Sequence, residues 1–96
     1  MARNAIDALR EGVDEMLFGI DIDSIDEKDA PGTPMRNPDG LFQDEVLQIA
    51  EHIGSNPHNL APMVAMEIVE YSPPDDEDNK TLDLIKKIAA SALRRS

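Results

Sequence analysis

The sequence predicts an α/β fold: a slice of a larger doubly wound parallel sheet, with elements in the order α-β-loop-α-β-α. Two short apolar runs, Met16-Leu17-Phe18-Gly19-Ile20 and the run 63–69, each end in an acid, Asp21 and Glu70. Buried strands of parallel sheets look like this where their carboxyl ends deliver polar groups. A helix-spaced segment over 42–53 separates them, so the two strands form a parallel pair with a right-handed crossover. Two strands cannot close a sheet, and both edges of such a pair stay bare.

Residues 2–11 predict a helix, with Ala5, Ile6 and Leu9 at helical spacing and Gly12 as its stop. The first strand follows. Pro31, Gly32, Pro34, Pro38 and Gly40 make residues 24–40 a long loop, of the kind that is functional or disordered. In the 42–53 helix, Phe42, Val46, Ile49 and Ile53 share a face, and Gly54 is the expected stop. The second strand, 63–70, is broken by Ser72-Pro73-Pro74. The last helix, 80–94, carries Leu82, Leu84, Ile85, Ile88, Ala89 and Ala92 on its apolar face. The acids 75–78 precede it and Arg94 and Arg95 end it, both favourable to the helix dipole. Capping of that helix is the preferred role for the acidic run.

The chain has 96 residues, enough for one small domain or a piece of a larger one. Such a chain buries a limited share of its surface and needs support. It has no cysteine, so neither a disulfide nor a thiolate metal site supplies that support. Its net charge is −11, from 20 acids and 9 bases, which excludes nucleic acid and anionic membrane as partners. No apolar run reaches membrane-spanning length, and the amino terminus has no apolar signal core. A soluble cytoplasmic chain is expected.

Asp21-Ile22-Asp23-Ser24-Ile25-Asp26 is the strongest constellation. Ligand sites of open α/β sheets lie at the carboxyl ends of strands. In an extended segment Asp21 and Asp23 would face the same way, as a pair of oxygen donors for a hard divalent cation. The alternative is a strand-ending turn with solvated aspartates. An EF-hand loop counted from Asp21 fails, because its sixth position is Asp26 and its twelfth Gly32. The opening motif of haloacid-dehalogenase phosphatases matches Asp21-Ile22-Asp23-Ser24-Ile25 fairly, but Asp75-Asp76 follows two prolines instead of an apolar strand.

Three segments in order carry a more specific match: Gly19-Ile20-Asp21-Ile22-Asp23-Ser24-Ile25-Asp26, then Ala30-Pro31-Gly32-Thr33 with Pro38 and Gly40-Leu41, then Glu67-Ile68-Val69-Glu70-Tyr71-Ser72-Pro73. Together they resemble the C-terminal part of the ureohydrolase family, which includes arginase, agmatinase and formimidoylglutamase. The resemblance implies a three-layer, arginase-like sheet. It implies Asp21 and Asp23 as ligands of paired Mn2+, and Glu70 as the partner of a substrate's planar guanidino or amidino group. It makes Asp26 a loop-holding residue, with Asp76 and Thr81 matching the agmatinase and guanidinobutyrase branch. The implied reaction is agmatinase-like hydrolysis releasing urea. Arginine, a guanidino acid and formiminoglutamate are the other substrates of the family.

The family's upstream histidine-containing ligand motifs are absent from these 96 residues. His52 and His58 lack the right neighbours and are expected at the surface, as is Arg36. The chain is therefore expected to be inactive alone, with the missing N-terminal region or another chain completing the site. Bare sheet edges make it poorly stable alone or a homo-oligomer. The other functions in play are a non-catalytic partner-binding remnant and a phosphatase-like fragment.

Overall fold

The computed structural model describes residues 2–93. Helix α1 (Ala2–Arg10) leads to strand β1 (Met16–Asp21), and helix α2 (Gln43–Ser55) to strand β2 (Met63–Val69), before helix α3 (Lys80–Ala92). Arg94 and Arg95, expected to end α3, lie outside the described residues. The two strands pair in parallel, with Phe18 opposite Met66, Ile20 opposite Ile68 and Asp21 opposite Val69.

That register gives the sheet two unlike faces. Phe18, Ile20, Met66 and Ile68 point into a core shared with Val46 and Ala50 of α2 and Leu84, Ile88 and Ala92 of α3. The opposite face holds Leu17, 59% exposed, with Gly19, Ala65, Glu67 and Val69. The strands therefore alternate, in contrast to the two-sided burial expected from their continuous apolar composition. No helix among the described residues is long and apolar enough to cross a membrane.

Four expectations about the helices need correction. Leu9 does not face the core: it is 77% exposed, and the buried side of α1 is instead Arg10, 2% exposed. Arg10 donates from Nε to the Ala61 carbonyl (2.8 Å) and from Nη1 to the Ile53 carbonyl (3.3 Å), docking α1 against the end of α2. Burial lowers its pKa, while nearby Asp7 acts in the opposite direction. His52 is buried, not at the surface. Its Nε2 meets Asp7 Oδ1 at 2.8 Å, and the exposed His58 meets Asp7 Oδ2 through Nδ1 at 2.9 Å. Hydrogen bonds from the two histidines hold the Asp7 carboxyl below its ordinary pKa.

Gly54 does not stop α2. The helix runs on to Ser55, and Asn56, at φ 42, is the left-handed residue that ends it. Gly54 instead permits close contact with α3, since an added Cβ would sit 1.9 Å from the Ser91 carbonyl oxygen. Phe42, expected on the buried face of α2, is 52% exposed and its side chain does not cap the helix. Asp29 Oδ2 accepts from the Gln43 N–H (2.8 Å) and Glu45 Oε1 from the Phe42 N–H (3.1 Å), so acids elsewhere satisfy this terminus.

Candidate active site

Parallel pairing sets Asp21, the last residue of β1, opposite Val69, the last of β2. Glu70 is the next residue, so both strands deliver an acid at the same carboxyl end of the sheet. This is the end at which open α/β sheets place ligands.

The aspartate pair is not extended, as the sequence suggested. The strand stops at Asp21 and turns through a single 3-10 turn, Ile22–Ser24. Ile22 and Ile25, both 0% exposed, force the bend by entering the core on either side of it. Asp21 Oδ1 accepts from the Asp23 N–H (2.8 Å), and the Ser24 hydroxyl donates to the Asp21 carbonyl (2.7 Å). Asp23 Oδ1 accepts from the buried Thr33 hydroxyl, and Asn37 Nδ2 donates to the Asp23 carbonyl (3.0 Å). Thr33 and Asn37 were given no role by sequence reasoning, though Thr33 stood in the Ala-Pro-Gly-Thr motif.

Each aspartate thus has one oxygen held in place. The other oxygen takes part in no hydrogen bond among the described residues. An all-oxygen pair of this kind fits a hard divalent cation. It is not a full cage: among the described residues no three histidine, aspartate or glutamate side chains converge on one ion position.

The loop behind the pair is ordered. Asp26 is 2% exposed; its N–H donates to the Leu41 carbonyl (2.7 Å), and its carboxylate accepts from the Lys28 N–H (3.0 Å). It holds the loop, as expected. Gly40 passes so close that an added Cβ would lie 2.5 Å from the Asp26 nitrogen. At Gly32 the N–H donates to Thr81 Oγ1 (2.8 Å) and the carbonyl accepts from the Ser72 N–H (2.7 Å). Arg36 is exposed, as expected, but it is also engaged. It pairs with Glu77 (3.0 Å) and donates to the Pro31 and Asp75 carbonyls, tying the loop to the segment after β2.

Strand β2 ends at Val69, one residue earlier than expected, and leaves Glu70 at φ 67. A glutamate with left-handed backbone is uncommon and costs about 1 kcal/mol or more. Its exposed side chain forms no hydrogen bond or ion pair among the described residues, so the expected alternative of a surface salt bridge is not realised.

Of the acidic run, Asp76 caps α3 as expected. Its two oxygens accept from the Thr81 N–H (2.9 Å) and the Leu82 N–H (3.1 Å). Burial acts to raise its pKa, but the hydrogen bonds from Thr81, Leu82 and Glu77 outweigh it and the net shift is downward. A depressed pKa in the folded state stabilises the fold above the unfolded value and is lost as pH falls through the folded one. Asp76→Ala is therefore expected to cost about 1 kcal/mol at neutral pH. Urea titrations of both proteins should show the gap narrowing as pH falls below the ordinary aspartate range. A gap that persists there would refute the charge-based cap.

Comparison with known proteins agrees with this architecture. The Arginase family model matches residues 1–94. The chain is similar to formimidoylglutamase of Bacillus subtilis strain 168, 27% identical over 92 residues, covering 96% of this chain and 28% of that protein. It is also similar to the mitochondrial arginase of Medicago truncatula, 33% identical over 87 residues, covering 91% of this chain and 23% of that protein. The crystal structure of Bacillus caldovelox arginase superimposes with a TM-score of 0.86 at 26% identity, covering 99% of this chain and 30% of that one. The chain thus spans less than a third of the length of these relatives. Its parallel strand pair, the acids at their shared carboxyl end and the family match over residues 1–94 together show that this chain belongs to the arginase family.

Proposed function

We propose that this chain forms the C-terminal part of the active site of a manganese-dependent amidino hydrolase, in which Asp21 and Asp23 bind manganese and Glu70 binds the substrate cation. The observation that carries this reading is the register placing Asp21 opposite Val69, which brings Glu70 to the same end of the sheet as the aspartate pair. Paired manganese would lower the pKa of water and supply a nucleophile near neutral pH. The chain's own part is positioning. Thr33 and the Asp23 N–H each hold one carboxylate oxygen and leave the other for the cation. Glu70, exposed and without an ion pair or hydrogen bond among the described residues, can meet a planar guanidinium or amidinium through two hydrogen bonds.

In this reading the remaining ligands come from an N-terminal region or another chain, and the assembly is a cytoplasmic homo-oligomer. Ser72-Pro73-Pro74 favours an agmatine-type or guanidino-acid substrate, with urea as product. The relatives named formimidoylglutamase and arginase make formiminoglutamate and arginine the other candidates. A second reading, a partner-binding module without activity, is favoured by the absence of a three-residue metal cage among the described residues.

Calorimetric titration with Mn2+ tests the first reading. Weak binding by the chain, abolished in Asp21→Asn, is expected. Equal binding by both proteins, or binding by neither, would remove metal chemistry from the chain. Urea release from agmatine, arginine and guanidinobutyrate, and formamide release from formiminoglutamate, would then rank the substrates of the completed site.

A further inference from the structure

We infer that a hollow between the 28–29 loop, the start of α2 and the outer face of α3 binds a small oxyanion of the phosphate class. The hollow is about 370 Å³, and Lys28, Lys80 and Lys87 line it together with Asp29, Gln43 and Asp83. Those are three of the chain's four lysines, gathered at one place in a protein with 20 acids and 9 bases.

Among the described residues, none of the three is paired with an acid. Lys80 Nζ donates to the Lys28 carbonyl (2.8 Å), leaving donors free, and the ammonium groups of Lys28 and Lys87 have no partner among the described residues. The acids at the same hollow do not neutralise them. Asp29 is turned toward α2, with one oxygen accepting from the Gln43 N–H (2.8 Å) and the other from Gln43 Nε2 (3.3 Å). Asp83 stands four residues before Lys87, the spacing of a helical ion pair, yet that pair is not formed. Three lysines lining one hollow, beside one acid without a hydrogen-bond partner among the described residues, suit a compact anion with several acceptor oxygens. Bound there, the anion would link the Lys28 loop, which carries Asp26, to α3. The site is independent of the manganese reading.

Inorganic phosphate is the probe, titrated into the 96-residue chain at constant ionic strength and followed through backbone amide NMR shifts. Saturable shifts at Lys28, Gln43 and Lys87 are expected, with millimolar affinity because the acidic surface opposes anions. The double variant Lys28→Gln/Lys87→Gln should bind at least about tenfold more weakly, the effect of losing one charge-assisted hydrogen bond. Lys86→Gln, whose side chain does not line the hollow, should bind as the parent does. Shifts that rise without saturating, that chloride reproduces, or that survive the double variant would overturn the assignment.

Discussion

Gly54→Ala is expected to destabilise the protein by about 3 kcal/mol, the upper end of the usual cost of forcing extra volume into a packed contact. Two effects compete. Alanine is the better helix former by about 1 kcal/mol, which on its own would stabilise α2. Against it, the new Cβ would lie 1.9 Å from the Ser91 carbonyl oxygen and 3.0 Å from the Ser91 carbonyl carbon. Both are backbone atoms of α3 and cannot swing aside as a side chain can. The helices would have to part, opening the core around Ala50, Ile88 and Ala92. Steric cost therefore wins. Gly19→Ala is the control, because a Cβ there meets nothing within 4 Å. Urea midpoints should fall sharply for the first variant and little for the second. A Gly54→Ala protein as stable as its parent would show that α2 and α3 are farther apart than described.

Ile22→Ala is expected to cost about 2–5 kcal/mol, the range for removing a large buried aliphatic side chain. Ile22 is 0% exposed and occupies the single turn between the two candidate metal ligands. The loss combines transfer of the side chain with the cavity left beneath the turn. A second effect is local. Without its anchor the turn loosens, and the hydrogen bond from the Asp23 N–H to Asp21 Oδ1 should weaken. Denaturant titration measures the first effect, and hydrogen exchange at the Asp23 amide the second. Leu17→Ala removes a side chain 59% exposed on the other face of the sheet and should change stability far less. A cost below about 1 kcal/mol for Ile22→Ala would mean that the turn is not anchored through the core.

What the sequence revealed and what it hid divide along the range of the interactions. Apolar runs ending in Asp21 and Glu70 marked both strands, because hydrophobic continuity is local. The order of elements then required a parallel pair, and that alone brought the two acids to one end of the sheet. The bend at Ile22 was hidden, since the same alternation of isoleucine and aspartate serves an extended strand or a 3-10 turn. Core packing of Ile22 and Ile25 decides between them. Gly54 read as a stop signal because its reason for being glycine lies on α3, at Ser91. His52 read as a surface residue because its partner, Asp7, lies 45 residues away. Arg10 hid in the same way, being a charged residue buried by two carbonyl oxygens that no local pattern announces. The loop roles of Thr33 and Asn37 were unreadable because both depend on where Asp23 finally sits.

The sheet face bearing Leu17, Gly19, Ala65, Glu67 and Val69 carries a thermodynamic consequence. Any polypeptide that covers it binds the folded state alone, so folding and docking become one coupled equilibrium. With such a polypeptide present, the melting temperature of this chain would become a titration variable, rising with that polypeptide's concentration.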